Sequence, residues 1–243
     1  MVYKINKGRL MDFTFAAIDL GITSNEKLAM LQEVKSIPDE MHHYNKFRGC
    51  KMLGIYNGGG RLGGRVKGID TKKGEFKYTP AGELCPTIKK VCEEKIFPFM
   101  NTPGRVTILR TQPDYGLNIH LDSKLEEVGT RQHKFRLVLH GEIDKLFFVD
   151  KNYNNVYVPD LYDCYTMDGS HPHSIDPGKK EKITLCIGAP WHGESNELYN
   201  TLINNSVFKM KVDRPIEVPT VWLDPFFEVN KNKKVEKTWQ KTV

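Results

Sequence analysis

The sequence lacks a long hydrophobic run. No stretch reaches the roughly 18 uncharged apolar residues that a membrane-spanning helix needs. The N-terminal segment MVYKINKGRLMDFTFAAIDLG carries Asp12 and Asp19 where a signal peptide requires an unbroken apolar stretch. We therefore expect a soluble protein of the cytoplasm with no membrane partner.

The sequence also lacks paired cysteines and familiar nucleotide-binding motifs. Its five cysteines are odd in number and scattered, with no C-x-x-C pair: Cys50, Cys85, Cys92, Cys164 and Cys186. This pattern is typical of reduced thiols and does not indicate a structural zinc site. The stretch NGGGRLGGRVKG has five glycines between Gly58 and Gly64, but it fits neither the P-loop nor the dinucleotide-binding pattern. We expect a flexible loop or a tight hairpin there.

The composition is that of a folded, enzyme-sized chain. Hydrophobic residues make up 39% and charged residues 27% of the 243 positions, which argues against disorder. The net charge of +6 is moderate and indicates solubility rather than a nucleic-acid partner. Because all-β chains of this length commonly form one domain, we expect a single domain over 1–243. Its parts would be a helical and loop support region (1–104), a β core (105–191), and a helix with a basic tail (192–243).

Short strand signals dominate residues 105–191. Seven apolar runs of strand length, most of them with β-branched and aromatic residues, are separated by turn residues: RVTILR, LNIHLD, KFRLVLHG, KLFFVD, NVYVP, DCYTMD and KITLCIG. Strands at this spacing predict a sandwich or a barrel. Helices are predicted on either side, in NEKLAMLQEVKSI with Ser24 as its cap, in TIKKVCEEKIF and in SNELYNTLINN. The predicted fold class is mainly β with flanking helices.

Two histidines and an aspartate form a candidate metal site. His120 and Asp122 are two residues apart in LNIHLD, and because strand side chains alternate, both project from one face. His173, 51 residues after Asp122, is the expected third ligand, and His171 is its rival if the chain stays extended through Pro172. Two histidines and one carboxylate on one face of Fe(II) leave three coordination positions open for O₂ and a co-substrate.

The order H-x-D, then H, then a basic residue nine positions later in a strand resembles the Fe(II)- and 2-oxoglutarate-dependent oxygenases. The resemblance covers about residues 105–191. It is closest to the aspartyl/asparaginyl β-hydroxylase-like and prolyl hydroxylase-like groups. It implies a double-stranded β-helix, a cupin-like jelly roll whose mouth holds the iron. It also implies that His120, Asp122 and His173 are the metal ligands and hence the catalytic residues.

The resemblance also implies residues that bind the co-substrate. Lys182 and Thr184 match the family's basic-x-Ser/Thr pair, which grips the distal carboxylate of 2-oxoglutarate, and they point to one face of their strand. We expect the alternate residues Ile183, Leu185 and Ile187 to pack outward between the sheets.

Three further residues are weaker candidates for the same co-substrate pocket. Arg136 matches an arginine that the β-hydroxylase-like members place against the co-substrate. Tyr115 and Asn118 lie just before the H-x-D pair, and Asn118 shares the face of His120 by alternation.

The implied activity is hydroxylation of a C–H bond in a protein side chain or small molecule, with Fe(II), 2-oxoglutarate and O₂. Two alternatives stay open. A nucleic-acid base oxygenase would hold phosphates with basic side chains, namely Arg61, Arg65, Lys67, Lys72, Lys73 and Lys77. No dense mixture of aromatic and basic residues indicates a base-stacking platform, so this alternative is disfavoured. The other is a non-catalytic jelly roll that binds a metal or has a structural role.

Overall fold

The computed structural model describes residues 2–4, 13–45, 49–60, 62, 76–100, 103–122, 134–188 and 197–223. Strands are the main regular structure in these ranges. They are β1 (Val2–Lys4), β2 (Phe15–Ala17), β3 (His43–Asn45), β4 (Cys50–Gly58), β5 (Phe76–Tyr78), β6 (Val106–Thr111), β7 (Leu117–His120), β8 (Lys134–His140), β9 (Leu146–Val149), β10 (Asn155–Tyr157), β11 (Cys164–Met167), β12 (His173–Ile175), β13 (Lys182–Gly188), β14 (Phe208–Met210) and β15 (Glu217–Pro219). The α-helices are α1 (Ser24–Ser36), α2 (Pro80–Glu83), α3 (Pro86–Val91) and α4 (Glu197–Asn204).

Shorter helical turns complete the described elements. Three are 3₁₀ turns, and one π-helical turn directly follows α3. The 3₁₀ turns are Asp39–Met41, Phe97–Phe99 and Thr220–Leu223, and the π-helical turn is Cys92–Ile96. No helix in the described ranges is both long and apolar enough to cross a membrane.

Two antiparallel sheets form the centre of the fold. The larger sheet has the strand order β14-β2-β11-β8-β13-β6-β4-β3, with β5 also paired to β4, and the smaller sheet has the order β10-β9-β12-β7. Between β6 and β13 the chain passes back and forth between the two sheets, with only β9 and β10 consecutive in one sheet. This alternation is a double-stranded β-helix, or jelly roll. The predicted fold class, mainly β with flanking helices, is confirmed.

The two faces of β13 have different surroundings. Ile183, Leu185 and Ile187 are fully buried on the outer face. They belong to a core that also contains Met30 of α1 and Ile88 of α3. The expectation that these three residues pack between the sheets is therefore wrong, because helices cover the outer face of the larger sheet. The opposite face of β13 is left to line the space between the sheets.

Helix α1 begins at a capping box. Thr23 accepts a hydrogen bond from the backbone N–H of Glu26, and the Glu26 carboxylate accepts one from the backbone N–H of Thr23. The cap is therefore Thr23 rather than Ser24, which is the first helical residue. The described part of 192–243 contains the predicted helix as α4, whereas the basic tail lies outside the described residues.

The first hundred residues contain more strand than their sequence pattern indicates. β4 is nine residues long, pairs with β6 and extends the larger sheet. It also pairs with β5, with Gly58 opposite Phe76. The glycine-rich stretch lies in the connection between these two paired strands. The expectation of a flexible loop or a tight hairpin falls mostly on residues outside the described ranges.

Candidate metal centre and adjoining cavity

Three metal-ligating side chains converge at one point between β7 and β12. His120 ends β7, Asp122 follows two residues later, and His173 begins β12. The two strands pair antiparallel with His173 opposite His120, and the imidazole ring centroids lie 4.5 Å apart. One ligand atom from each of the three residues lies within 4.8 Å of the others. The structure thus brings together the three residues that the sequence predicts as ligands.

Each of these imidazoles is oriented by a backbone carbonyl. Nδ1 of His120 donates to the carbonyl oxygen of Asn118, and Nδ1 of His173 donates to that of His171, both at 2.8 Å. Because a carbonyl oxygen can only accept, the proton of each neutral ring lies on Nδ1 and Nε2 keeps its lone pair. This is the arrangement that fixes a histidine for metal binding through Nε2.

The Asp122 carboxylate completes the donor set. Its Oδ1 lies 3.7 Å from Nε2 of His120, and the backbone N–H of Asp122 donates to the carbonyl oxygen of Gly169 at 2.8 Å. A Cβ on residue 169 would lie 3.0 Å from Cβ of Asp122, so glycine permits this close approach. Two neutral imidazoles and one carboxylate on one side of a metal form the facial triad of non-haem Fe(II) enzymes.

His171 is a core residue directed away from this point. It is buried, its Nε2 donates to the carbonyl oxygen of Val149 at 2.8 Å, and its ring meets Phe148 edge-on. Burial lowers the pKa of His171 to about 4, so the ring is neutral at physiological pH. His171 therefore orients His173 through its carbonyl group, and its own ring is engaged elsewhere.

A cavity between the sheets lies beside the metal centre, since one of its lining residues, Arg136, is 3.9 Å from Asp122. Its wall includes residues of β6, β8, β11 and β13 on one side and of β7 and β12 on the other. The lining residues are Cys50, Leu109, Thr111, Gln112, Tyr115, Gly116, Leu117, Arg136, Glu142, Lys145, Tyr165, Ile175, Asp176, Gly178, Lys180, Lys182, Thr184 and Cys186. Four of the five residues predicted to bind the co-substrate line this cavity. They are Arg136, Lys182, Thr184 and Tyr115.

Lys182 is a buried cation that the described residues do not satisfy. Its Nζ is buried and makes no hydrogen bond with any residue of the described ranges. Burial lowers the pKa of Lys182 to about 8. Thr184, on the same face of β13, is also buried. An anion that entered the cavity could compensate the desolvation of this ammonium.

Arg136 lies at the other end of the cavity. It is opposite Tyr165 on β11 and opposite Cys186 on β13, and its guanidinium NH2 lies 3.9 Å from Oδ2 of Asp122. Because strands rise about 3.3 Å per residue, the four steps from Lys182 to Cys186 separate the backbone positions of the two cations by roughly 13 Å.

Tyr115 and Asn118 are placed differently from each other. Tyr115 lines the outer end of the cavity, with its ring on Gly49, where an added Cβ would lie 1.9 Å from the nearest ring atom. The Asn118 side chain is exposed and is not among the lining residues described above. Its carbonyl, not its amide, serves the site by orienting His120.

The sequence pattern missed Tyr165 and Cys186 as cavity residues. Both lie on the inner face of the larger sheet beside Arg136. Burial raises the pKa of Tyr165 above its ordinary range, so the phenol remains neutral. Strand alternation from Lys182 and Thr184 identifies Cys186, but no comparable signal exists for Tyr165.

Solved structures similar to this chain include a prolyl hydroxylase, a member of the 2OG-Fe(II) oxygenase family and a protein with nickel and 2-oxoglutarate bound. A prolyl hydroxylase from Trichoplax adhaerens, solved with a peptide of the hypoxia inducible factor oxygen degradation domain, is 13% identical; the match covers 78% of this chain and 87% of that one, with TM-score 0.49. An oxidoreductase of the 2OG-Fe(II) oxygenase family from Burkholderia pseudomallei is 11% identical, with coverage of 81% and 96% and TM-score 0.48. HygX from Streptomyces hygroscopicus, solved with nickel and 2-oxoglutarate, is 10% identical, with coverage of 83% and 92% and TM-score 0.48.

No model of a known protein family matches the sequence, and no curated protein matches it. At 10–13% identity and with TM-scores below 0.5, these structures are only distantly similar to this chain. The H-x-D…H triad, on which the predicted resemblance depends, is present in the chain itself, with its three side chains close together.

Replacing His173 and His171 separately tests the ligand assignment. His173→Ala removes one of three ligands, so we expect Mn(II) binding by calorimetry to be lost, because two remaining ligands seldom hold such an ion against water. His171→Ala is the matched control, and it should still bind Mn(II) while lowering the stability of the fold by about 1–3 kcal/mol. Retained binding in His173→Ala together with lost binding in a folded His171→Ala variant would reverse the assignment.

Proposed function

We propose that this protein is an Fe(II)- and 2-oxoglutarate-dependent dioxygenase that hydroxylates a C–H bond of a protein side chain or a small molecule. One observation carries the proposal: a His-Asp-His cluster adjoins a cavity that contains a buried lysine without a hydrogen-bond partner in the described ranges. The cluster suits Fe(II), and the lysine suits the far end of a dicarboxylate.

The metal ligands would be Nε2 of His120, Nε2 of His173 and Oδ1 of Asp122. Their carbonyl partners hold both imidazoles in the tautomer that binding needs. Bound Fe(II), with O₂ and 2-oxoglutarate, would supply the oxidative chemistry that amino-acid side chains lack. The chain's part is to hold these components in place and to keep water out.

The co-substrate would lie along β13. Lys182 would pair with its distal carboxylate and Thr184 would donate a hydroxyl hydrogen bond to it. Leu109, Leu117 and Ile175 provide apolar wall between the two charged ends. A charge-assisted hydrogen bond of this kind contributes about 1.5–3 kcal/mol, which is enough to make Lys182 the main determinant of co-substrate affinity.

The base-oxygenase alternative has less support. Of the six basic residues that it would use, only Lys77 lies in the described ranges. Lys77 lies on β5, which pairs with β4 near one edge of the larger sheet. Lys77 is not among the residues that line the cavity. The non-catalytic alternative does not explain why Lys182 is buried without a hydrogen-bond partner in the described ranges.

Succinate formation tests the proposed activity. Protein supplied with Fe(II), ascorbate, O₂ and 2-oxoglutarate should release succinate and CO₂ slowly without a substrate, and His173→Ala should not. Adding a pool of single- and double-stranded oligonucleotides should leave the rate unchanged. A several-fold stimulation by oligonucleotide that collapses with rising salt would favour the base oxygenase instead. No succinate from metal-loaded protein, together with no binding of 2-oxoglutarate, would favour the non-catalytic alternative.

The pKa of Lys182 predicts that co-substrate binding depends on pH. Because burial lowers this pKa to about 8, the side chain is charged below that pH and loses its attraction for a carboxylate as the pH rises through it. We expect the dissociation constant of 2-oxoglutarate, measured by calorimetry on Mn(II)-loaded protein, to be flat up to about pH 7. Above about pH 8 it should rise by up to about tenfold per pH unit.

Two variants of Lys182 serve as controls for this pH profile. Lys182→Arg keeps its charge throughout the range, so the rise above pH 8 should disappear. Lys182→Ala should bind 2-oxoglutarate about 10 to 100 times more weakly at neutral pH and show no rise. Wild-type affinity in Lys182→Ala would show that another residue binds the distal carboxylate, and Arg136 would be the first candidate.

A further inference from the structure

Arg136 faces both the metal centre and the cavity. It lies on the inner face of β8, and its side chain is 18% exposed. Its neighbours across the sheet are Tyr165 and Cys186. Because a guanidinium is not deprotonated in proteins, the side chain is a permanent, largely buried cation.

The two oxygens of Asp122 have different surroundings. Oδ1 lies 3.7 Å from Nε2 of His120, on the side where the ligand atoms converge. Oδ2 lies 3.9 Å from NH2 of Arg136. An ion pair at this distance favours the carboxylate orientation in which Oδ2 faces the guanidinium and Oδ1 is left for a metal.

Arg136 has hydrogen-bonding capacity beyond the contacts described. Within the described ranges its one hydrogen bond runs from NH1 to the carbonyl oxygen of Phe135, at 3.4 Å. The guanidinium has five N–H donors in a planar fork, and this side chain lines the cavity. Most of its N–H donors therefore make no hydrogen bond with the surrounding strands in the described ranges, and NH2 lies near Oδ2 of Asp122.

We propose that Arg136 is a positioning residue for the metal, acting through Oδ2 of Asp122, and not solely a co-substrate contact. The role of the metal rests on the proposed function, but the proposed positioning is measurable on metal binding alone. Groups that hold a metal ligand from behind commonly change metal affinity by about 10- to 100-fold when they are removed.

Orientation and charge make opposite predictions for this residue. If Arg136 matters only as a nearby cation, removing its charge relieves repulsion and Mn(II) should bind more tightly. If Arg136 orients Asp122, its removal should weaken Mn(II) binding. A lysine keeps the charge but loses the planar fork, so Arg136→Lys separates the two cases.

A matched control is Arg110 on β6, whose side chain is 17% exposed, pairs with Glu181 and does not line the cavity. The experiment measures the Mn(II) dissociation constant without 2-oxoglutarate for wild type, Arg136→Gln, Arg136→Lys and the control Arg110→Gln. We expect binding about 10 to 100 times weaker in Arg136→Gln, a smaller weakening in Arg136→Lys, and no change in Arg110→Gln. The absorption spectrum of Co(II)-loaded protein should change in both Arg136 variants and not in Arg110→Gln. Thermal unfolding of the metal-free proteins reports whether each variant is folded.

Unchanged or tighter Mn(II) binding in Arg136→Gln would overturn the proposal. If Arg136→Gln does not fold, Arg136→Lys decides alone: several-fold weaker binding with an altered Co(II) spectrum supports positioning, and wild-type values overturn it. Failure of all four proteins, wild type included, to bind Mn(II) would instead be a failure of the proposed metal site. The two failures are therefore distinguishable.

Discussion

The metal centre depends on the register between β7 and β12. The pairing sets His173 opposite His120, and because strand side chains alternate, a slip of one residue would turn His173 to the other face. β12 has only three residues, so its own ladder is weak. On its other edge β12 pairs with β9, where Phe148 lies opposite His173. Toward β7, the Ser174 hydroxyl donates a hydrogen bond to the Leu117 carbonyl oxygen. The convergence of ligands is thus a consequence of sheet pairing.

The interior of the β-helix contains charges that a purely structural barrel would not use. Lys182 and Arg136 both point inward from the larger sheet. Apolar residues at these positions would avoid the free energy of desolvating a cation. The outer face of the same strand shows the contrast, since Ile183, Leu185 and Ile187 are fully buried beneath helices. The inner face of β13 therefore carries polar and charged side chains where its outer face is apolar.

Much of this arrangement is predictable because it follows from alternation within single strands. The period of two places His120 near Asp122, and Lys182 with Thr184, without knowledge of the fold. Alternation does not predict burial along a strand, and Asn118 is exposed although His120, two residues later, is buried. The cap of α1, the strand β4 and the three-residue β12 were missed or misplaced, because short or glycine-containing segments have weak local preferences that tertiary pairing overrides.

Residues brought together only by the fold had no sequence signal. Tyr165 reaches the cavity because β11 pairs with β8, and Arg136 meets Asp122 across the space between two sheets. The choice between His171 and His173 as ligand also depends on a contact made by the fold. The His171 ring donates a hydrogen bond to the carbonyl oxygen of Val149, 22 residues earlier in the chain. The domain limits and the cytoplasmic location stay predictions.

A crystal structure of the protein with Mn(II) and 2-oxoglutarate tests the central claim most directly. The account predicts an anomalous scattering peak bounded by Nε2 of His120, Nε2 of His173 and Oδ1 of Asp122. It also predicts 2-oxoglutarate in the cavity, with its distal carboxylate within hydrogen-bond distance of Nζ of Lys182. Mn(II) bound at other residues, or a cavity without the dicarboxylate at saturating concentration, would contradict it.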